Sequence, residues 1–236
     1  EDAKGNLMIM VQGNKGMADF ELATYLERII TDIVAQLYDE CGIVDGQVDS
    51  LFEEETEFGQ ILVAGGRRRK SLPTISDFYR KALISEKKNK IPEHKRAYRI
   101  LLDSLKERVR ELYYCPDCLQ FYAKEEFEAG TRCCCKENGR KLFKIQGVKS
   151  YFDGQSNVII DRDVKFTNID LSQLPDEERS VARLIALSFV TEHFIKRNAV
   201  NPKKTEYMGV ICDELHENFK SLPAVQKLDY VSRTSR

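Results

Sequence analysis

Five cysteines, Cys115, Cys118, Cys133, Cys134 and Cys135, crowd into 21 residues of this 236-residue chain. Nothing else in the sequence limits the fold as sharply, because thiols at this density serve as metal ligands or pair as disulfides unless the fold keeps them apart. Cys115-Pro116-Asp117-Cys118 is a tight C-x-x-C knuckle, and a 14-residue gap containing Phe121, Tyr122 and Phe127 separates it from the triple cysteine. Two sulfur pairs at this separation suit a tetrahedral, four-cysteine zinc site between two short hairpins. There the metal takes the place of a hydrophobic core and fixes the fold. The expected ligands are Cys115, Cys118, Cys133 and Cys135, with Cys134 spare; four sulfurs leave no open position, so the Zn2+ is expected to be structural. Free thiols or disulfides are the other uses of the same residues, and a reducing compartment favours metal. Cys41 and Cys212 stand alone in apolar surroundings and read as small buried hydrophobes.

The cluster also marks a change of character along the chain. Before it, apolar residues recur at helical spacing over residues 19–41 (Leu22, Tyr25, Leu26, Ile29, Ile30, Ile33, Val34, Leu37), with Asp19 and Gly42 as candidate caps. A weaker acidic helix is expected over 49–62, then a flexible basic loop, Gly65-Gly66-Arg67-Arg68-Arg69-Lys70. Pro73-Thr74-Ile75-Ser76-Asp77-Phe78 reads as a loop entering a short helix, capped by Thr74 or Ser76. A long amphipathic helix is expected over 92–114, with Tyr98, Leu101, Leu102, Leu105, Val109 and Leu112 on one side. After the cluster, residues 157–160 and 164–169 are β-branched or aromatic stretches that read as strands. A helix follows over 172–197, with Leu184, Ile185, Leu187, Ser188, Phe189 and Phe194 toward the core. Residues 207–212 have the form of a buried central strand, and strand, helix, strand implies a parallel α/β sheet.

Apolar content is 42% and charged content 32%, ordinary for a globular chain. A net charge of −1 selects neither nucleic acid nor an anionic membrane in bulk. No apolar run nears the roughly 20 residues that span a bilayer. Glu1-Asp2-Ala3-Lys4-Gly5 lacks the basic start and apolar stretch of a secretory signal, so the expected compartment is the cytoplasm.

Two further constellations bear on chemistry. Met208-Gly209-Val210-Ile211-Cys212-Asp213-Glu214 has the form of a Walker B strand. In that arrangement Asp213 supports a phosphate-bound Mg2+ and Glu214 polarises the attacking water as general base. The same acidic pair would equally cap a following helix. The run Arg67 to Lys70 is a solvated loop or a contact to nucleic acid or a partner. Arg233 and Arg236, three apart, share a face of the helix expected there; they are exposed surface residues or reach a γ-phosphate in a neighbouring subunit. His94, His193 and His216 are scattered, with no apparent nucleophile partner.

From Tyr151 onward the order of features resembles the conjugative type IV secretion ATPases, the VirB-four/TraC/CagE group. The matching stretches are Tyr151-Phe152-Asp153-Gly154-Gln155-Ser156-Asn157-Val158, Val164-Lys165-Phe166-Thr167-Asn168-Ile169-Asp170-Leu171-Ser172-Gln173-Leu174, Val210-Ile211-Cys212-Asp213-Glu214-Leu215-His216 and Tyr230-Val231-Ser232-Arg233-Thr234-Ser235-Arg236. Upstream, Leu72-Pro73-Thr74-Ile75-Ser76-Asp77-Phe78 looks like a turn in that family's helical region. The resemblance implies a predominantly helical α/β chain: part of a RecA-like P-loop NTPase core with a large helical insertion and a small zinc-ribbon-like insert. The regions would be 1–114 (helical insertion), 115–145 (cysteine-rich insert) and 146–236 (motor segment with Walker B). It implies ATP and Mg2+ as cofactors of the intact parent, with Asp213, Glu214, Arg233 and Arg236 at the nucleotide. It also implies partners: other subunits of the same ATPase, membrane-channel components, and DNA. The parent would sit in the cytoplasm, peripheral to the inner face of the membrane. No G-x-x-x-x-G-K-[ST] occurs; Gln12-Gly13-Asn14-Lys15-Gly16-Met17 has glycines and a lysine in another order. The chain is therefore expected to be an internal segment that does not hydrolyse ATP alone. The rival reading is a zinc-ribbon module that binds nucleic acid or protein.

Overall fold

The computed structural model describes residues 2–12, 20–53, 70–129, 135, 142–145, 147–155, 167–200, 210–211, 225 and 229. Within them the chain is mixed α/β and mostly helical. The helices are α1 (Asp2–Gln12), α2 (Phe20–Glu40), α3 (Ile75–Lys88), α4 (Pro92–Leu105), the short α5 (Lys124–Glu128) and α6 (Asp176–Val200). The strands are β1 (Leu112–Tyr114), β2 (Phe121–Ala123) and β3 (Phe143–Ile145). The chain divides into two units, one of residues 1–27 and 157–236, the other of residues 28–156.

In the first unit α1 packs against α6. Leu7 and Met10 of α1 are buried, as are Val181, Leu184, Leu187 and Ser188 of α6. The buried α6 positions keep helical spacing, as the sequence predicts, while Ile185 and Phe189 are only half-buried. The helix starts at Asp176 rather than Ser172. Pro175 disfavours helical geometry in the residue before it, and its own carbonyl accepts the first helical amides, those of Glu178 and Arg179, both at 2.9 Å.

The second unit is built on α2 from Arg28, on α3 and α4, and on the sheet. Helix α2 buries Ile29, Ile30, Ile33 and Leu37. It ends as expected at Gly42, whose φ of 63° is accessible at little cost without a side chain. Gly42 N–H donates to Asp39 (2.8 Å) and Ile43 N–H to Tyr38 (2.9 Å), the paired bonds of a Schellman cap. Thr74 caps α3: its hydroxyl accepts from Asp77 N–H, and the Asp77 carboxylate accepts from Thr74 N–H at 2.9 Å. Helices α3 and α4 pack face to face through Phe78, Ala82, Leu83, Ala97, Leu101 and Leu105. Fully burying Phe78 or Leu101 contributes about 1.5–3 kcal/mol each. Across one end, Glu86 of α3 pairs with Arg99 of α4 at 3.2 Å.

The expected helix over 92–114 is corrected in its second half. Helix α4 ends at Leu105, and the chain turns over residues 106–109 before entering β1. Val109 and Leu112 are buried, as their spacing implied, but from a loop and a strand. Strand β1 gives up helical bonds for ladders on both sides, and Leu112-Tyr113-Tyr114 suits a pleated surface. The sheet is antiparallel with β1 central, in the order β2-β1-β3. Its registers are Leu112↔Ala123, Tyr113↔Tyr122 and Tyr114↔Phe121 on one side, and Leu112↔Ile145, Tyr113↔Lys144 and Tyr114↔Phe143 on the other.

No parallel sheet occurs among the described residues. The strand expected over 157–160 lies outside them. Of the one expected over 164–169, Thr167, Asn168 and Ile169 are described, exposed and not in a strand. At 207–212 the reading of a buried central strand fails for the two residues described: Val210 and Ile211 are in no strand, and Ile211 is 98% exposed. A central strand needs cover on both faces, and Ile211 lacks it. Of the acidic helix expected over 49–62, residues 49–53 are described: a 3-10 turn at Val48–Leu51 gives way to extended backbone at Phe52, and the rest lies outside. Cys41, expected to be buried, is half-buried at the end of α2; Cys212 lies outside.

Candidate metal centre

Strand β1 ends at Tyr114 and β2 begins at Phe121, so six residues, Cys115 to Gln120, make the turn between them. Two backbone bonds close it: Cys115 N–H to the Gln120 carbonyl (3.0 Å) and Leu119 N–H to the Cys115 carbonyl (2.9 Å). To turn back this tightly, Leu119 takes φ 57°, the left-handed region that a side chain disfavours. The knuckle thereby aims Cys115 and Cys118 to the same side. Cys135, between α5 and β3, comes in against them.

The sulfur atoms of Cys115, Cys118 and Cys135 all lie within 4.8 Å of one another, and none is in a disulfide. Zinc–sulfur bonds of about 2.3 Å place tetrahedral ligands roughly 3.8 Å apart, so these sulfurs reach a shared ion through small side-chain rotations. Cys115 is buried, Cys118 half-buried and Cys135 exposed. The donor set is soft and all-sulfur, which selects zinc or another thiophilic ion over magnesium or calcium. A metal such as Zn2+ fits it.

Aromatic rings brace the knuckle. Tyr114, next to Cys115, stacks on Phe121 across the hairpin, with centroids 5.7 Å apart, and meets Phe143 of β3 at the same distance. The Arg80 guanidinium lies over Phe121 at 5.8 Å. On the opposite face of the sheet Tyr113 stacks flat on Phe127 of α5 at 4.0 Å. Burial, and then the charge of Glu86, push the Tyr114 hydroxyl above its ordinary pKa. Burial pushes Tyr79 up to about 12, with Tyr114 and Asp103 adding to the shift. At the sheet's rim, Lys144 and then Tyr113 hold Glu111 below the usual carboxylate range by donating hydrogen bonds to it.

Of the ligands expected from sequence, Cys115, Cys118 and Cys135 are thus brought together. Cys133 and Cys134 lie outside the described residues, as do Asp213, Glu214, Arg233 and Arg236. So do Arg67, Arg68 and Arg69; Lys70 is described, and its amine donates to the Gly42 carbonyl at 2.9 Å. His94 is half-buried on α4. Sequence reasoning did not find Leu119, because no pattern marks a leucine for positive φ. Nor did it find the role of Asp153, a buried carboxylate inside a stretch noted only for its resemblance. No family model, curated protein or solved structure matches this chain.

Proposed function

We propose that the cysteine segment is a structural zinc centre that staples the β1–β2 turn to the segment between α5 and β3, with Cys133 as fourth ligand beside Cys115, Cys118 and Cys135. One observation carries this reading: two sulfurs of the β1–β2 turn and a third from the segment between α5 and β3 converge within 4.8 Å. Three strands of three residues each are too short to persist by themselves, and a bound ion supplies the missing cross-link. Four thiolates fill the tetrahedron, so the ion holds structure and does no chemistry. Metal analysis of the purified chain tests this. One zinc per chain is expected, lost in Cys115→Ser and Cys118→Ser. A metal-free chain as stable as one incubated with zinc would refute it.

The unit so stapled belongs, in our proposal, to an ATPase of the conjugative type IV secretion type, with a RecA-like motor. Support comes from the order of the quoted stretches and from Asp213-Glu214 behind an apolar run. ATP and Mg2+ would bind in the intact parent, Asp213 holding the metal and Glu214 activating water. Arg233 and Arg236 would face the nucleotide of a neighbouring subunit. Other subunits, channel components and DNA are the partners this implies. Because no G-x-x-x-x-G-K-[ST] occurs in the sequence, the chain alone should show no magnesium-dependent ATP turnover. Turnover abolished by Glu214→Gln would contradict that. The rival, a zinc-ribbon module binding nucleic acid or protein through Arg67 to Lys70, predicts steeply salt-dependent DNA binding that weakens when these residues are neutralised.

A further inference from the structure

Two stretches singled out in the sequence, residues 72–78 and the described part, 151–155, of residues 151–158, meet in the structure, and the metal centre uses neither. Asp153 is 2% exposed. Its carboxylate accepts hydrogen bonds from Ser76 N–H (2.9 Å), from Arg110 N–H (2.7 Å) and from the Ser76 hydroxyl. In return Arg110 Nε donates to the Asp153 carbonyl at 2.7 Å. Two residues on, the Gln155 side-chain amide pairs with the Leu72 backbone in both directions, accepting from its N–H at 2.9 Å and donating to its carbonyl. Just upstream, Lys149 N–H donates to the Glu107 carbonyl at 2.7 Å. Gly147 lies so close to Val109 that a Cβ there would sit 1.4 Å from the Val109 carbonyl oxygen.

These contacts join three places far apart in sequence: the start of α3, the segment between α4 and β1, and the segment that follows β3. We infer that Asp153 and Gln155 are a latch that makes residues 72–155 open and close as one cooperative unit. The carboxylate suits that task because three donors converge on it and both it and Ser76 are buried. Removing it takes the acceptor away from Ser76 N–H and leaves Arg110 N–H only the Ser76 hydroxyl, at 3.1 Å, so both sides of the joint weaken together. Gln155 closes the same joint at the surface. The latch stands apart from the zinc and ATPase readings and does not require either.

Native-state hydrogen exchange on the full chain tests this, under conditions where exchange reports the open population. Asp153→Asn keeps the shape but turns one acceptor into a donor facing Arg110 and Ser76. Amides throughout α3, α4 and β1 are expected to exchange faster together, by about tenfold or more, while those of α6 are unchanged. Gln155→Ala, an exposed change that tests the latch should Asp153→Asn fail to fold, is expected to give the same pattern with a factor of about two to five. Acceleration confined to Leu72, Ser76 and Arg110, or spread equally to α6, would overturn the latch.

Discussion

Leu119 is the one described non-glycine residue with positive φ, at 57°, and it sits where the knuckle turns the chain from Cys118 toward β2. The left-handed conformation costs an L-residue about 1–2 kcal/mol, part of which a glycine gives back in lost unfolded-state entropy. Leu119→Gly should therefore stabilise the chain by up to about 1 kcal/mol in denaturant titration; destabilisation would mean that the leucine side chain packs usefully in the turn. Tyr79 gives a pH signature. Its folded pKa is raised to about 12 from 10, so its contribution is complete below pH 10 and is lost as pH rises toward 12. Melting temperature should fall over that window, and Tyr79→Phe should flatten the fall. At this scale the sequence was legible where chemistry is rare, as in the cysteines. It was silent where context decides, as with Asp153: an aspartate before a glycine reads as a turn, and only the fold shows three donors converging on it.

Helices declared themselves where periodicity and caps agreed. Helix α2 with its Gly42 end and α3 with its Thr74 cap stand where the sequence puts them. The 92–114 helix failed past Leu105 because Val109 and Leu112 fit a helical face and a strand equally well. Long-range partners decided between them: Asp153 takes the Arg110 amide, and β2 and β3 take the edges of β1. Helix α1 was missed, since its glycine and mixed polarity weaken any periodic signal. The contact between Gly147 and Val109 shows how tightly the segment after β3 is seated. Gly147→Ala forces backbone to move and should cost at least the upper part of the usual range for overpacking, about 1–3 kcal/mol, read as a lowered denaturation midpoint. A neutral result would show that this segment shifts freely.

At the scale of the whole molecule, two compact units share one chain, and no described helix is long and apolar enough to cross a membrane. The motor reading draws on residues 146–236, a region the sequence marks by the order of its segments; a parallel sheet would depend on strands distant in sequence, which no local pattern specifies. On the proposed ATPase reading, Glu214→Gln in the intact parent should lower ATP turnover by at least about 100-fold, while leaving zinc content unchanged. Retained turnover would reduce Asp213-Glu214 to a helix cap. The central claim is the metal centre, and X-ray absorption at the zinc edge on the purified full chain tests it most directly. Four sulfur neighbours at about 2.3 Å are predicted. Nitrogen or oxygen neighbours in their place, or no bound zinc at all, would contradict the account.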